Sequence, residues 1–103
     1  MAGEGSPATP ARLFLAQNHP NPCASVTCIP YTLPRACPSA TIQIRDLLGR
    51  AIRTLEHAPA GVGSHTVVWD LRGDSGEQAP SGVYVCVLQA GEHAMTRKLV
   101  VAR

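Results

Sequence analysis

Hydrophobic and polar positions alternate with a period of two along most of this chain, and no stretch shows a helical period. The clearest stretch is 82–88, which is rich in valine, has no charged residue and is apolar on both alternating faces. One face carries Val83, Val85 and Val87, and the other carries Tyr84, Cys86 and Leu88. Such composition favours a strand, and two apolar faces are typical of a sheet interior. We therefore predict that 82–88 is the central strand, covered on both sides or at a subunit contact.

Further segments with strand character are separated by turns rich in Gly and Pro, of which the chain has nine each. We predict strands at residues 13–15, 26–33, 40–46, 51–56, 64–69 and 94–102. Pro30 cannot donate to a ladder, so 26–33 is expected at a sheet edge or at a bulge. Residues 34–38 and 57–63 are predicted loops. Short strands at this spacing indicate an all-β fold, namely an antiparallel immunoglobulin-like β-sandwich of about seven strands.

Turn chemistry supports this reading at three places. A rigid corner is predicted before the second strand, at Asn18, Pro20, Asn21 and Pro22. X–Pro steps of this kind forbid a regular helix or ladder. Asp46 should open a hairpin turn through its side chain, and Gly49 should close the turn with a positive φ. Trp69 has apolar neighbours and is predicted to be core, while Asp70 should cap the loop that follows.

The 103 residues fit one domain, which we place at 13–103, after a disordered linker or appended tail at 1–12. The net charge of +2 is spread thinly, and no basic cluster exists of the kind that nucleic acid requires. No apolar run approaches the roughly 20 residues of a membrane-spanning helix. Composition therefore leaves a small β domain without a nucleic-acid partner.

Candidate chemistry is sparse. Two readings stay open for the cysteines, either buried thiols or disulfides, with weak preferences for Cys28–Cys37 and Cys23–Cys86. Their spacing matches no common zinc pattern. Asp70, Asp74 and Glu77 could offer oxygens to calcium, but without the spacing of a dedicated calcium loop. The four histidines are dispersed, so we expect no catalytic centre, no cofactor and no metal.

Several blocks follow one another along the chain in a characteristic order. They are residues 17–22, Tyr31-Thr32-Leu33-Pro34, Ile44-Arg45-Asp46-Leu47-Leu48-Gly49-Arg50, the loop that begins at Trp69-Asp70, Ser81-Gly82-Val83-Tyr84 and Thr96-Arg97-Lys98-Leu99-Val100. In this order they resemble the C-terminal sorting domains, type A, of type IX secretion cargo. Residues 17–22 resemble the opening Q-N-Y-P-N-P of that family, and Leu71 stands where the family has Gly in its W-D-G-x-D-x-x-G loop. The chain is also similar to the related immunoglobulin-like domain of flagellar hook-capping proteins.

The resemblance implies a module that carries an N-terminal cargo domain across the outer membrane and does no chemistry itself. Its partners would be the type IX translocon and a sortase-like peptidase, and its final location would be the cell surface or the medium. The residues implied in recognition are Gly82, Val83, Tyr84, Lys98, Leu99 and Val100, with the last strand adding to a partner sheet. A structural domain of a hook cap or surface assembly, acting by self-association, is the alternative, followed by a carbohydrate-binding module using Trp69 or Tyr31.

Overall fold

Seven strands form two antiparallel sheets in the computed structural model, which describes residues 12–103 apart from the side chains of 56–60. The strands are β1 (Phe14–Leu15), β2 (Thr27–Leu33), β3 (Cys37–Arg45), β4 (Ala51–Ala60), β5 (Gly63–Trp69), β6 (Gly82–Ala90) and β7 (His93–Val101). The smaller sheet has the order β1-β2-β5 and the larger sheet β4-β3-β6-β7. The predicted β-sandwich is confirmed, and the predicted linker lies outside the described residues except for Arg12.

The core fills the space between the two sheets with alternate side chains of their strands. The smaller sheet contributes Leu15, Ile29, Tyr31, Leu33, Val67 and Trp69. The larger sheet contributes Ala40, Ile42, Ile44, Tyr84, Cys86, Leu88, Leu99 and Val101. Trp69 and Tyr84 meet edge to face across the core, with ring centroids 5.9 Å apart, a contact worth about 1 kcal/mol beyond area burial. No helix of the described residues could cross a membrane.

The central strand differs from its prediction on one face. β6 lies between β3 and β7, as expected, and Tyr84, Cys86 and Leu88 are buried. Among the described residues, no second layer covers the other face, where Val83 is 38% exposed and Val85 and Val87 are half-buried. The cause lies in the neighbouring strands, which place long polar side chains beside the valines. Their cross-strand partners include Gln43, Arg45, Thr96 and Lys98.

Pro30 lies in an interior strand and not at an edge, because β2 runs between β1 and β5. The strand tolerates it because β1 is only two residues long. Ala16 N donates to Pro30 O across 3.0 Å, so only the reciprocal bond of that pair is lost. Two predicted loops are shorter than expected. The loop after β2 spans only 34–36, because β3 begins at Cys37, and the loop after β4 spans only 61–62, because β4 continues to Ala60.

The structure contains all four cysteines as free thiols and pairs none of them. Cys28 lies between the buried residues Thr27 and Ile29, so its side chain points away from the core that contains Cys37. Cys23 pairs with Val101, whereas Cys86 pairs with Arg97, about 13 Å further along β7. Burial raises the pKa of the Cys86 thiol to about 12. The two weakly preferred disulfides are therefore absent for geometric reasons.

The β3–β4 turn offers a clean test of backbone conformation. Gly49 has φ +87°, and a Cβ added there would meet no atom within 4 Å. A Cβ at Gly61 would also have open space around it, but Gly61 lacks a positive φ of this kind. We expect Gly49→Ala to lower the free energy of unfolding by about 1 kcal/mol, because an L side chain is strained in this region. Gly61→Ala is the matched control and should be neutral or slightly stabilising in urea denaturation. Equal losses in both variants would contradict the assignment.

Candidate functional site

The proline corner lies against the outer edge of β7 and binds its backbone. Gln17 Nε2 donates to Lys98 O across 2.8 Å, and Val100 N donates to Asn21 Oδ1 across 2.9 Å. Cys23 N donates to Val100 O at 2.9 Å, and Ala102 N donates to Cys23 O at 2.8 Å. We call residues 17–23 and 98–102 together the corner–β7 junction. It uses the backbone groups that an added strand would need.

Local bonds hold the corner in this shape. Asn18 is buried and its Nδ2 donates to Thr27 Oγ1 at 3.0 Å and to Pro20 O at 3.2 Å. The Thr27 hydroxyl also donates to Pro20 O, at 3.0 Å. His19 and Cys28 exchange two backbone hydrogen bonds of 3.0 and 2.8 Å. Because its buried polar atoms are paired internally, the corner can present Gln17 and Asn21 to β7.

The six residues predicted for recognition divide between core and surface. Tyr84 and Leu99 are buried, and the Tyr84 hydroxyl donates to Pro80 O at 2.5 Å. Burial raises the pKa of Tyr84. Gly82, Val83 and Lys98 are exposed, and Val100 is half-buried. Val83 pairs with Val100, and Lys98 pairs with the neighbouring Val85, so Val83, Lys98 and Val100 share the outer face of the larger sheet, whereas Gly82 pairs with the buried Val101. The core members can act only by shaping this face.

The loop after Trp69 protects the opposite edge of the larger sheet. Asp74 N donates to Ile52 O at 2.9 Å, and Thr54 N donates to Asp74 Oδ1 at 3.2 Å. These bonds occupy the edge of β4 as the corner occupies the edge of β7. Trp69 Nε1 donates to Arg72 O at 2.9 Å, which attaches the loop to the core. The acidic residues of this motif thus have a structural partner in the sheet.

Arg53 lies between Asp70 and Asp74, two of the three acidic residues that could offer oxygens to calcium. Arg53 Nη1 is 3.0 Å from Asp70 Oδ1, and Arg53 Nε is 3.7 Å from Asp74 Oδ1. Asp70 Oδ1 also accepts Arg72 N at 3.1 Å, which is the predicted capping role. Glu77 accepts a short hydrogen bond from the Ser75 hydroxyl. Within residues 12–103, excluding the side chains of 56–60, no three His, Cys, Asp or Glu residues form a group that could hold a metal ion.

Leu71 has a positive φ of 63°, at the position where the resembled family has Gly. An L residue in this region costs about 1–2 kcal/mol. The Leu71 side chain is fully buried, and burial of a leucine contributes about 1.5–3 kcal/mol. The two terms are of similar size, and the burial offsets the strain. This explains how the motif keeps its backbone path without the glycine.

Arg97 and Arg103, which the sequence pattern did not indicate as important, link distant segments of the sandwich. Arg103 Nε donates to Ala79 O and its Nη2 donates to Leu71 O, both at 2.9 Å. Arg103 is therefore bound to the loop and is not a free charge on the last strand. Arg97, on β7, donates to Leu15 O of the other sheet at 2.9 Å. The sequence shows no signal for these contacts, because their acceptors are backbone carbonyls distant along the chain.

A cavity of about 790 Å³ lies at the other end of the sandwich. Its walls come from residues 12–13, 33–38 and 90–95. β7 runs from this cavity to the corner–β7 junction, and nine strand residues span about 30 Å. Arg12 lines this cavity, so the described chain enters the domain here, five residues and at most about 18 Å before Gln17 of the junction.

The β3–β4 turn is fixed by one carboxylate, as the sequence predicted. Asp46 Oδ1 accepts Leu48 N at 2.9 Å and Arg50 N at 3.0 Å, and Asp46 Oδ2 accepts Arg50 Nε at 2.8 Å. Desolvation raises the pKa of Asp46, but these hydrogen bonds and the charge of Arg50 outweigh it and lower the pKa below its ordinary value. The turn presents Leu47 and Leu48 to solvent, 65% and 80% exposed.

A family profile described as the FlgD Ig-like domain matches residues 24–93, which is most of the chain. The chain belongs to the FlgD Ig-like domain family. The relation to this family that the motifs indicated is confirmed. No curated protein matches the sequence.

Two solved structures show the same fold as this FlgD Ig-like domain. One is dimeric latent PorU from Porphyromonas gingivalis, with a TM-score of 0.66 and 20% identity over 89% of this chain. The other is PorZ from the same species, described as an essential bacterial surface component of the type-IX secretion system, with a TM-score of 0.59 and 21% identity over 98% of this chain. The chain spans 10% and 13% of the lengths of these proteins. At such identity the likeness establishes the fold.

The lowered pKa of Asp46 predicts how the turn of this Ig-like domain responds to acid. A carboxyl with a depressed folded-state pKa contributes stability above its unfolded pKa of about 4 and loses it as the pH falls through the folded value. Asp46→Asn keeps an Oδ1 acceptor but removes the charge. Its free energy of unfolding should therefore depend less on pH than that of the wild type between neutral pH and about pH 3. Parallel curves from urea titrations would contradict this.

The corner–β7 junction predicts a local effect of one side chain. Asn21→Ala removes the acceptor of Val100 N, so we expect faster amide hydrogen exchange at Val100 and a loss of about 1 kcal/mol of stability. Asn21→Asp retains Oδ1 and is the matched control, with slow exchange at Val100. Unchanged exchange in the alanine variant would show that Asn21 does not hold this edge.

Proposed function

We propose that this domain is a type A C-terminal sorting domain, which directs a larger cargo protein across the outer membrane through the type IX secretion system. The cargo would pass through the periplasm and then be released or anchored at the cell surface, after a sortase-like peptidase acts upstream of the fold. The domain itself catalyses no reaction in this proposal. It acts as a folded signal that other proteins bind.

The observation that carries the proposal is the corner–β7 junction. The two motif blocks that bracket the resemblance, 17–22 and 96–100, are bonded to each other through Gln17 and Asn21. A sequence pattern that is selected as one signal is expected to form one surface, and these blocks do so. The fold shared with PorZ, described as a surface component of the type-IX secretion system, supports the same assignment.

Recognition by side chains fits the second half of β7 better than strand addition does. Strand addition needs free backbone groups at the edge, and Val100 N and Val100 O already have partners in the corner. Lys98 is exposed, and the pair Val83 and Val100 lies on the same outer face. We assign recognition to this face, with Lys98 at its centre. Along β7, Lys98 lies about 17 Å from His93, which lines the cavity where the described chain enters.

The absence of catalysis in the proposal agrees with how the carboxylates are used. Asp46 fixes a turn, Asp70 caps a loop, and Asp74 covers the edge of β4. General acid–base chemistry would require such a group to face a substrate site. Each of these three is engaged in a structural contact.

The alternative that the motif resemblance left open is a structural domain of a flagellar hook cap or another surface assembly. The two candidates differ in what the isolated module does. A sorting domain should redirect an unrelated protein to which it is fused, whereas an assembly domain should not.

A fusion experiment tests the sorting role. The whole chain is attached to the C-terminus of an exported reporter and expressed in a bacterium with a type IX system and in a translocon-deficient strain. We expect the reporter at the surface or in the medium of the first strain and in the periplasm of the second. A folded, protease-resistant fusion that stays in the periplasm of the competent strain would overturn the proposal.

Substitution tests the Lys98 face more specifically than truncation does, because deletion of residues 98–103 would also remove Leu99 and Val101 from the core. Lys98→Glu should reduce delivery several-fold without loss of fold, since its side chain is exposed. Gln89→Glu introduces the same carboxylate group at an exposed position of β6 nearer the cavity and serves as the control. Equal delivery by both variants would exclude the Lys98 face.

A further inference from the structure

The smaller sheet has an edge with outward-facing backbone groups, on β5. Ala16 N binds Pro30 O, so the even-numbered residues of β2 direct their backbone groups toward β1 and the odd-numbered residues direct theirs toward β5. The register pairs Ile29 with Val67 and Tyr31 with His65. The backbone N–H and C=O groups of Ser64, Thr66 and Val68 therefore point away from the sheet, and all three residues are exposed.

Edges elsewhere in the described sandwich are covered by specific bonds. The corner covers the second half of β7 through Asn21 and Cys23, and Asp74 covers part of β4. Arg97 donates to Leu15 O at the outer edge of β1. The first half of β7 lacks such a cover, but that strand carries charged side chains, which oppose pairing with another chain.

β5 lacks the common protections of an edge strand. Residues 61–69 contain no Lys, Arg, Asp, Glu or Pro, and β5 is seven residues long. Charges, prolines and bulges are the features by which proteins prevent unwanted pairing of edges. Val68 is 55% exposed on this strand, so an apolar side chain accompanies the open backbone. These features together mark the edge as a surface for pairing.

We propose that a second copy of this chain pairs with β5 in antiparallel orientation about a two-fold axis. With Thr66 opposite Thr66 of the other copy, Ser64 lies opposite Val68, and every outward backbone group of the three residues gains a partner. In this two-fold contact Thr66 lies opposite Thr66 of the other copy, so a charge at this position would oppose a like charge. The uncharged segment is compatible with such self-pairing, whereas a charged partner peptide would find no complementary group on it.

The paired strands would join the two smaller sheets into one continuous sheet. The Lys98 face belongs to the larger sheet, and the corner pairs with β2 on the side away from β5, so neither lies at the contact in such a dimer. Self-association through β5 is thus independent of the proposed sorting role, and either can fail alone.

Analytical ultracentrifugation of the whole chain over a range from micromolar to near-millimolar concentration tests the pairing. The wild type should show a reversible monomer–dimer equilibrium. Thr66→Lys places like charges at the two-fold axis and should raise the dissociation constant at least about tenfold. Gln89→Lys adds the same charge on the exposed face of an interior strand and should leave the constant unchanged. Thermal melts of all variants report whether each one folds.

Val68→Lys is the second variant, since its side chain is already largely in solvent and the substitution should not disturb the core. Amide hydrogen exchange adds an independent measurement: the N–H groups of Thr66 and Val68 should exchange more slowly as the protein concentration rises. A wild type that stays monomeric throughout, a dimer that Thr66→Lys and Val68→Lys leave intact, or equal weakening by Gln89→Lys would each overturn the proposal.

Discussion

The arrangement of this sandwich depends on the hydrogen bonds between the proline corner and the edge of β7. A strand edge carries unpaired N–H and C=O groups, which must find partners or stay in water. Here Asn21 and Cys23 supply those partners from a segment about eighty residues earlier in the chain. The same contact brings the corner beside both sheets, because His19 is paired with Cys28 of the smaller one. One set of backbone bonds therefore closes an edge and ties the sheets together.

The motif blocks share a structural role, which is to supply hydrogen-bond partners to backbone groups at strand edges and turns. The corner covers β7, and the loop after Trp69 covers part of β4, so two irregular segments protect opposite edges of the larger sheet. Asp46 has a similar role within its own turn, where it accepts hydrogen bonds from the backbone amides. Each motif combines a residue that shapes the backbone with a side chain that accepts from an amide. This explains why polar residues that suggest chemistry in the sequence are structural in the fold.

The division between core and surface also limits which residues a binding partner can contact. Tyr84 and Leu99 are part of the interior, so they influence binding only through the position of the strands. Lys98, Val83 and Val100 remain accessible in a patch on the outer face of the larger sheet. Arg45 and Lys98 lie beside the valines of that face. The aliphatic stems of such side chains cover apolar surface while their charges stay in water. Such a face can be recognised without being prone to aggregation.

The existence and order of the strands could be predicted from the alternation of side chains, because this alternation does not depend on which strands are neighbours. Tyr84, Cys86 and Leu88 were expected on one face of their strand, and Asp46 and Gly49 identified the β3–β4 turn, since these signals are local. Tertiary structure decided which strands are edges, and it placed Pro30 in an interior strand and left the outer face of β6 partly open. It also decided the partners of Asn21, Arg97 and Arg103, which are backbone groups of distant segments. Any residue can supply a backbone acceptor, so the sequence carries no mark of where such a bond will form.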